Sequence, residues 1–241
     1  MSLLIEAKKL KRTGYLPAFL AGSLLAAAFP VVYLMVKAEE LTSLSGNPTD
    51  LLMSANWQMM AMLNILLSVC GACVMYHTEY ADNGMQKMSV LPVRPGHLFM
   101  GKFIIAAGMA AVMTGIETAV LWGCAGRWFA GTPSGPAQLL KTAGFQTVVM
   151  MPTVMMMLVI AAACRNMWVS LGIGVILVFT CSVLPRDNAV LSLLPFASPY
   201  QTLSGATEAS RAVLLSAACG AETAALGIAE LIYLKGRRNL A

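Results

Sequence analysis

The chain has 241 residues, of which 58% are hydrophobic and 11% charged. Soluble domains carry about 25% charged residues, so composition excludes an ordinary water-soluble globule. The net charge of +5 does not point to nucleic acid, because the basic residues gather at the ends of apolar runs, where membrane orientation accounts for them.

Mean hydropathy is +0.73. The apolar runs are unbroken over about 18–25 residues, the length of a spanning helix, and lack the alternation of a barrel strand. The chain is therefore expected to be an all-α integral membrane protein forming one transmembrane domain, residues 1–241. Six cysteines (Cys70, Cys73, Cys124, Cys164, Cys181 and Cys219) lie in or beside apolar segments and read as small apolar fillers rather than a disulfide framework.

Residues 1–13 form a basic amphipathic stretch, with Leu3, Leu4, Ile5 and Leu10 apolar and Lys8, Lys9, Lys11 and Arg12 charged. Such a segment lies in the headgroup layer as an interfacial helix. The apolar run Leu16 to Val36 is longer than the core of a secretory signal, so it is expected to stay as the first span. Six spans are predicted, at about 15–36, 53–76, 98–123, 142–164, 167–185 and 210–234. Small residues recur every four positions at Gly14, Ala18, Gly22 and Ala26. They do so again at Ala107, Ala111, Gly115, Ala119 and Gly123, and at Ala217, Ala221 and Ala225. That spacing lets helix backbones approach closely and suits one ridge to dimerisation.

With both termini on one side, that side holds eleven of the 16 Lys and Arg residues and the other side five, which predicts cytoplasmic termini. Trp57, Trp122, Trp128 and Trp168 fall near span ends, as an aromatic belt places them. The outer connection 185–209 is not simply polar. Ala189 to Leu194 is apolar, and Pro195 and Pro199 interrupt it, so a re-entrant or interfacial hairpin is expected.

The densest internal run of charge is the loop between the second and third spans, residues 77–97 and on to Lys102, carrying Glu79, Asp82, Lys87, Arg94 and Lys102. Asn83-Gly84 is a stop signal. Met85, Met88 and Leu91 then share one helical face, with Gln86 and Lys87 opposite. Pro92 and Pro95 prevent continuation, since proline lacks an N–H and restricts the residue before it. A short helix under the bundle, offered to a soluble partner, is the prediction.

Glu117, Glu222 and Glu230 lie inside spans, where an ionisable group costs at least a few kcal/mol and favours a partner or water. Each is either a polar lining that meets a cationic substrate or proton, or a hydrogen-bonded joint between helices. Asn56, Gln58 and Asn64 read as interhelical hydrogen-bonding groups. Pro152, among Met150, Met151, Met155, Met156 and Met157, should kink its helix. Cys70-Gly71-Ala72-Cys73 lacks the context of a redox or metal motif. The two histidines, His77 and His97, lie in the loop, so none is inside a span to activate a serine. No helix carries H-E-x-x-H, and no stretch satisfies G-x-x-x-x-G-K-[ST]. No catalytic, metal or cofactor residue is therefore assigned, and any ATP and Mg belong to another chain.

Six spans, the amphipathic N-terminus and the stretch EYADNGMQKMSVLPVRPGHLFMGK together resemble the ABC-2-type permeases, and among them the lantibiotic-immunity permeases of the MutE/EpiE and MutG type. The residues that carry the resemblance are Glu79, Gly84, Lys87 to Leu91, Pro92-Val93 and Lys102, with Leu194 to Tyr200 similar to a proline-spaced element before the last span. The resemblance implies a type V exporter-like permease fold in the bacterial plasma membrane, paired with a like or unlike second permease and two cytoplasmic ATPase subunits. It makes the 77–97 loop a coupling helix, with Glu79, Asp82, Gly84, Met85, Lys87, Met88, Leu91 and Pro92 at the ATPase contact. It further implies export of cationic amphipathic antimicrobial peptides. Export of a drug, lipid or polysaccharide, and a non-transporting membrane scaffold or sensor, are the competing readings, and a membrane-embedded enzyme ranks last.

Overall fold

The computed structural model describes residues 2–11, 13–44, 46–80, 95–129, 135–164, 166–185, 188, 190–203 and 209–240. In chain order the helices are α1 (Ser2–Lys11), α2 (Tyr15–Thr42), α3 (Pro48–Tyr80), α4 (Pro95–Trp128), α5 (Pro136–Ala163), α6 (Met167–Ser182) and α7 (Ala209–Leu240). Two single 3₁₀ turns, Leu191–Leu193 and Ser198–Tyr200, stand between α6 and α7.

Local chemistry sets many of the ends. α3, α4 and α5 each open on a proline, whose fixed φ suits the first helical position and whose missing N–H is not needed there. Pro95, expected only to stop a helix, therefore starts one. Asn166 caps α6 by accepting the Trp168 N–H at 2.9 Å. Gly14 links α1 to α2 with φ 71, in the left-handed region that glycine enters without steric cost. α2 runs on to Thr42, but its backbone leaves helical geometry at Lys37 (φ −131, ψ 35), one residue past the predicted end of the span.

Among the described residues five helices (α2, α3, α4, α5 and α7) are long and apolar enough to cross a membrane, and α6 is a shorter apolar helix of 16 residues. At 1.5 Å per residue α6 reaches about 24 Å, short of a hydrocarbon core of about 30 Å. Of the six expected spans, five coincide with these long helices, and the stretch expected at 167–185 carries the short α6. α3 has 33 residues and α4 has 34, so both overrun the predicted spans. His77 to Tyr80 and Pro95 to His97, predicted as loop, are helical.

α3 lies at the centre and packs against α2, α4, α5 and α6. α3 and α5 bury over half of their apolar windows, 56% and 61%, whereas α7 buries 22% of its own and rests mainly on α5. The α2–α3 crossing uses glycine on both sides, since a Cβ at Gly22 would collide with Leu67 and one at Gly71 with Phe19 and Tyr15. The small ridges of α4 and α7 behave differently. Ala111, Ala119 and Gly123 of α4 and Ala217, Ala221 and Ala225 of α7 are exposed, and a Cβ at Gly115 or Gly123 would meet nothing within 4 Å. Of the three ridges, the one on α2 takes part in packing within the chain.

After α6 the chain turns back into the bundle. Trp57 Nε1 donates to the Pro199 carbonyl at 2.8 Å, and the Ser198 hydroxyl donates to the Val149 carbonyl at 2.8 Å. The Thr153 hydroxyl, next to Pro152, donates to the Pro195 carbonyl. Phe196, Ala197, Ser198, Pro199 and Tyr200 are buried against α3, α5 and α6. Non-helical backbone at apolar depth needs such partners for its carbonyls. At the other end of the bundle, Gly96 at the start of α4 lies close to Leu231 near the end of α7, so α1 and the last turns of α7 occupy the same end.

Candidate functional site

Glu79 is the penultimate residue of α3 and Lys102 lies two turns into α4, so the pair brackets residues 81–94. Lys102 is 1% exposed and Glu79 5%. The Lys102 ammonium donates to Glu79 Oε1 at 2.5 Å and to Glu6 Oε2 at 2.8 Å. The Lys9 ammonium donates to Glu6 Oε1 at 2.8 Å and to Glu79 Oε1 at 3.2 Å. The four side chains close a ring, Glu6–Lys9–Glu79–Lys102, in which each carboxylate meets both ammonium groups and the formal charges cancel.

The ring has a physical rationale. A lysine buried alone would lose its hydration, and its charge survives burial when it is paired and hydrogen-bonded. The Lys102 ammonium also stands 5.4 Å from the centroid of the Tyr76 ring, within cation–π range. Burial disfavours the Lys9 charge, but the hydrogen bond to Glu6 and the field of Glu79 outweigh it and raise the Lys9 pKa above the ordinary lysine range. α1 comes near α4 where Gly101 faces it, and a Cβ there would stand 3.6 Å from Glu6 Cγ.

Glu79, expected among the contacts to a soluble partner, thus turns inward and spends its charge inside the chain. Asp82, Gly84, Met85, Lys87, Met88, Leu91 and Pro92, with the expected short helix, lie outside the described residues. Sequence reasoning missed Glu6 altogether and took Lys9 for one more headgroup contact. A signal was present: Glu6 is the one acidic residue in an otherwise basic amphipathic stretch, three positions before Lys9. Lys102 sits eight residues into an apolar helix, a placement that calls for a counter-charge.

Gly96 to Lys102 also carries the first seven positions of the phosphate-loop pattern, with Phe103 where serine or threonine would stand. These residues are the first turns of α4, and the lysine is engaged by two carboxylates. A phosphate cradle needs a glycine-rich loop between strand and helix, so the likeness carries no nucleotide chemistry.

A second polar centre lies deeper. Glu117 of α4 is fully buried, and its Oε2 accepts the Asn64 amide of α3 at 2.7 Å. Glu117 Oε1 and Asn64 Oδ1 have no hydrogen-bond partner among the described residues. One turn away the hydroxyls of Thr114 and Thr147 meet at 2.8 Å, joining α4 to α5. Gln146, beside Thr147, is 1% exposed, and neither end of its amide has a hydrogen-bond partner among the described residues. In this arrangement Glu117 joins two helices and is closed off from solvent.

The α7 carboxylates differ from it. Glu230 is buried. Glu222 is half-buried, with Oε2 enclosed and unpartnered among the described residues. Gly227, one turn before Glu230, lies against Met155 of α5. The two cysteines of the C-x-x-C run diverge, Cys70 exposed and Cys73 buried at 3.2 Å from the Ser170 hydroxyl of α6.

Residues 2–181 match the family model described as "ABC-2 family transporter protein". The matched stretch runs from α1 to the end of α6 and includes all four members of the ring and the Asn64–Glu117 pair. Neither a curated protein nor a solved structure matches the chain.

Proposed function

The chain belongs to the ABC-2 family of transporter proteins, and from that premise we propose that it is the exporting permease of a complex whose ATPase docks on the 81–94 stretch. Membership makes it a multi-pass membrane subunit of an ABC transporter, a transport component rather than a catalyst, and implies ABC ATPase subunits as partners. The observation that carries the coupling reading is the ring. It binds the last turn of α3 and the second turn of α4, the two supports of the stretch, to α1 and to each other. A push on the stretch is then shared by three helices instead of bending one.

In this reading Asp82, Lys87, Met85, Met88 and Leu91 meet the ATPase, and Glu79 positions the stretch from behind. The surplus of Lys and Arg on the side of the termini supports a cytoplasmic location for this end. The outward small-residue ridges of α4 and α7 suit a second permease, which would cover surface that the single chain leaves open. The substrate is a cationic amphipathic peptide of the lantibiotic kind. Glu222, on the least buried of the five long helices and with an enclosed oxygen unpartnered among the described residues, is the best placed of the three carboxylates to meet it. The runner-up reading is another amphiphile, such as a drug, lipid or polysaccharide precursor.

The test is purification of the permease with its ATPase, followed by hydrolysis and peptide-export assays. The expected result is co-elution, hydrolysis that falls when Met85, Met88 and Leu91 are replaced by Asp, and export that falls in Glu222→Gln with hydrolysis retained. No associated ATPase would overturn the coupling reading, and unchanged peptide resistance in Glu222→Gln would overturn the substrate role.

A further inference from the structure

The ring leaves α1 with a one-sided charge. Glu6, its single acidic residue, faces inward and is spent on Lys9 and Lys102, and Leu10 is buried on the same side. Lys8 and Lys11, one turn apart, are both exposed. Among the described residues neither takes part in an ion pair within 4.0 Å. The exposed charge of α1 is therefore wholly positive.

The depth of this face is set by the chain itself. Lys11 stands four residues before Tyr15, where a 28-residue apolar helix begins, so both lysines lie at the level where a span leaves the hydrocarbon. An exposed basic face at headgroup depth is complementary to an anionic lipid surface, and each lysine there strengthens adsorption by roughly fivefold.

We propose that the Lys8–Lys11 face of α1 binds anionic phospholipid headgroups, and that the Glu6–Lys9–Glu79–Lys102 ring passes the occupancy of this site to the 81–94 stretch. Lys9 is the hinge of the relay. It lies between Lys8 and Lys11 in sequence, yet its ammonium bonds Glu6 and Glu79. A headgroup that settles α1 on the membrane fixes Glu6 and Lys9, and these fix the ends of α3 and α4. With a neutral surface α1 is free to rock and takes Glu79 with it. The relay rests on the coupling reading above; the lipid site does not.

Two measurements separate them. The permease alone, in nanodiscs containing a photoactivatable phosphatidylglycerol, is crosslinked and the adducts are mapped by mass spectrometry. Adducts concentrated on residues 7–11, and lost in the double variant Lys8→Gln/Lys11→Gln, are expected. An even spread along the chain, or retention in the double variant, overturns the lipid site.

The permease–ATPase complex is then assayed in nanodiscs of phosphatidylcholine with and without phosphatidylglycerol. Hydrolysis several-fold higher with the anionic lipid is expected. Lys8→Gln/Lys11→Gln in the anionic lipid should behave like the unaltered complex in the neutral one. Lys9→Gln, chosen because Lys9 is half exposed and its loss is milder than that of Lys102, should keep the lipid adducts but lose the lipid response. An equal response in Lys9→Gln overturns the relay while leaving the lipid site standing. If α1 crosslinks to the ATPase in place of lipid, the face is a protein dock and the proposal fails. A complex that lacks any ATPase sinks the coupling reading, and the crosslinking still decides the lipid site.

Discussion

The ring beneath α3 and α4 and the Asn64–Glu117 pair in the middle of the bundle are two answers to the same difficulty, an ionisable side chain out of water. The ring brings together four charges from three helices and satisfies each with two opposite charges. The middle pair supplies one carboxyl with one amide hydrogen bond. A closed set of charges depends on every member, because removing one leaves its partners buried and uncompensated. A carboxyl held by an amide depends on little more than shape.

The largest effect is therefore expected at Lys102. Lys102→Met should lower stability by about 3–5 kcal/mol, read as a lowered midpoint of thermal unfolding in detergent, because Glu6 and Glu79 keep one cation between them. Adding Glu79→Gln should recover most of the loss, since Glu6 and Lys9 then balance. A double variant no better than the single one would show that the lysine acts through packing alone.

Next come the bonds of the segment between α6 and α7. Thr153→Val and Ser198→Ala each strip a carbonyl of a donor, and each should cost about 1–3 kcal/mol. Protease access to residues 190–203 should rise in both. If access is unchanged, these bonds do not hold the segment in place.

The middle pair should tolerate an isosteric change. Glu117→Gln should stay within about 1 kcal/mol of the unaltered protein, whereas Glu117→Leu, which leaves the Asn64 amide unpaired, should cost about 1–3 kcal/mol. A severe loss in Glu117→Gln would mean that the carboxyl charge is needed, and would erase the contrast with the ring.

The ring should also have a signature in pH. The Lys9 pKa is raised in the folded state, so its contribution is complete below the ordinary lysine value of about 10.5 and fades as pH climbs through the higher folded value. Stability should thus decline at strongly alkaline pH, and Lys9→Gln should remove that part of the decline in a pH series of unfolding midpoints. The smallest effect is expected at Lys37, whose 3.0 Å pair with Glu40 is exposed on both sides. Lys37→Gln should leave the midpoint unchanged, as isolated surface pairs usually do.

The apolar runs, the prolines and the basic bias announced a helical membrane bundle and most of its spans, because a spanning helix is dictated by its own length and composition. Pro195 and Pro199 also marked in the sequence the non-helical segment between α6 and α7, whose residues 196–200 are buried. What sequence could not decide was which polar residues meet. Glu6, Glu79 and Lys102 are far apart in the chain; Glu6 drew no reading at all, and Glu79 and Lys102 taken singly read as a docking charge and the opening of a span. Only the packing of α1 against α4, beside the end of α3, brings both carboxylates within 3 Å of the Lys102 ammonium. The same holds for the small-residue ridges, alike in spacing on α2, α4 and α7. Periodicity marks a face that can be approached closely, and the tertiary structure alone decides which faces are already covered.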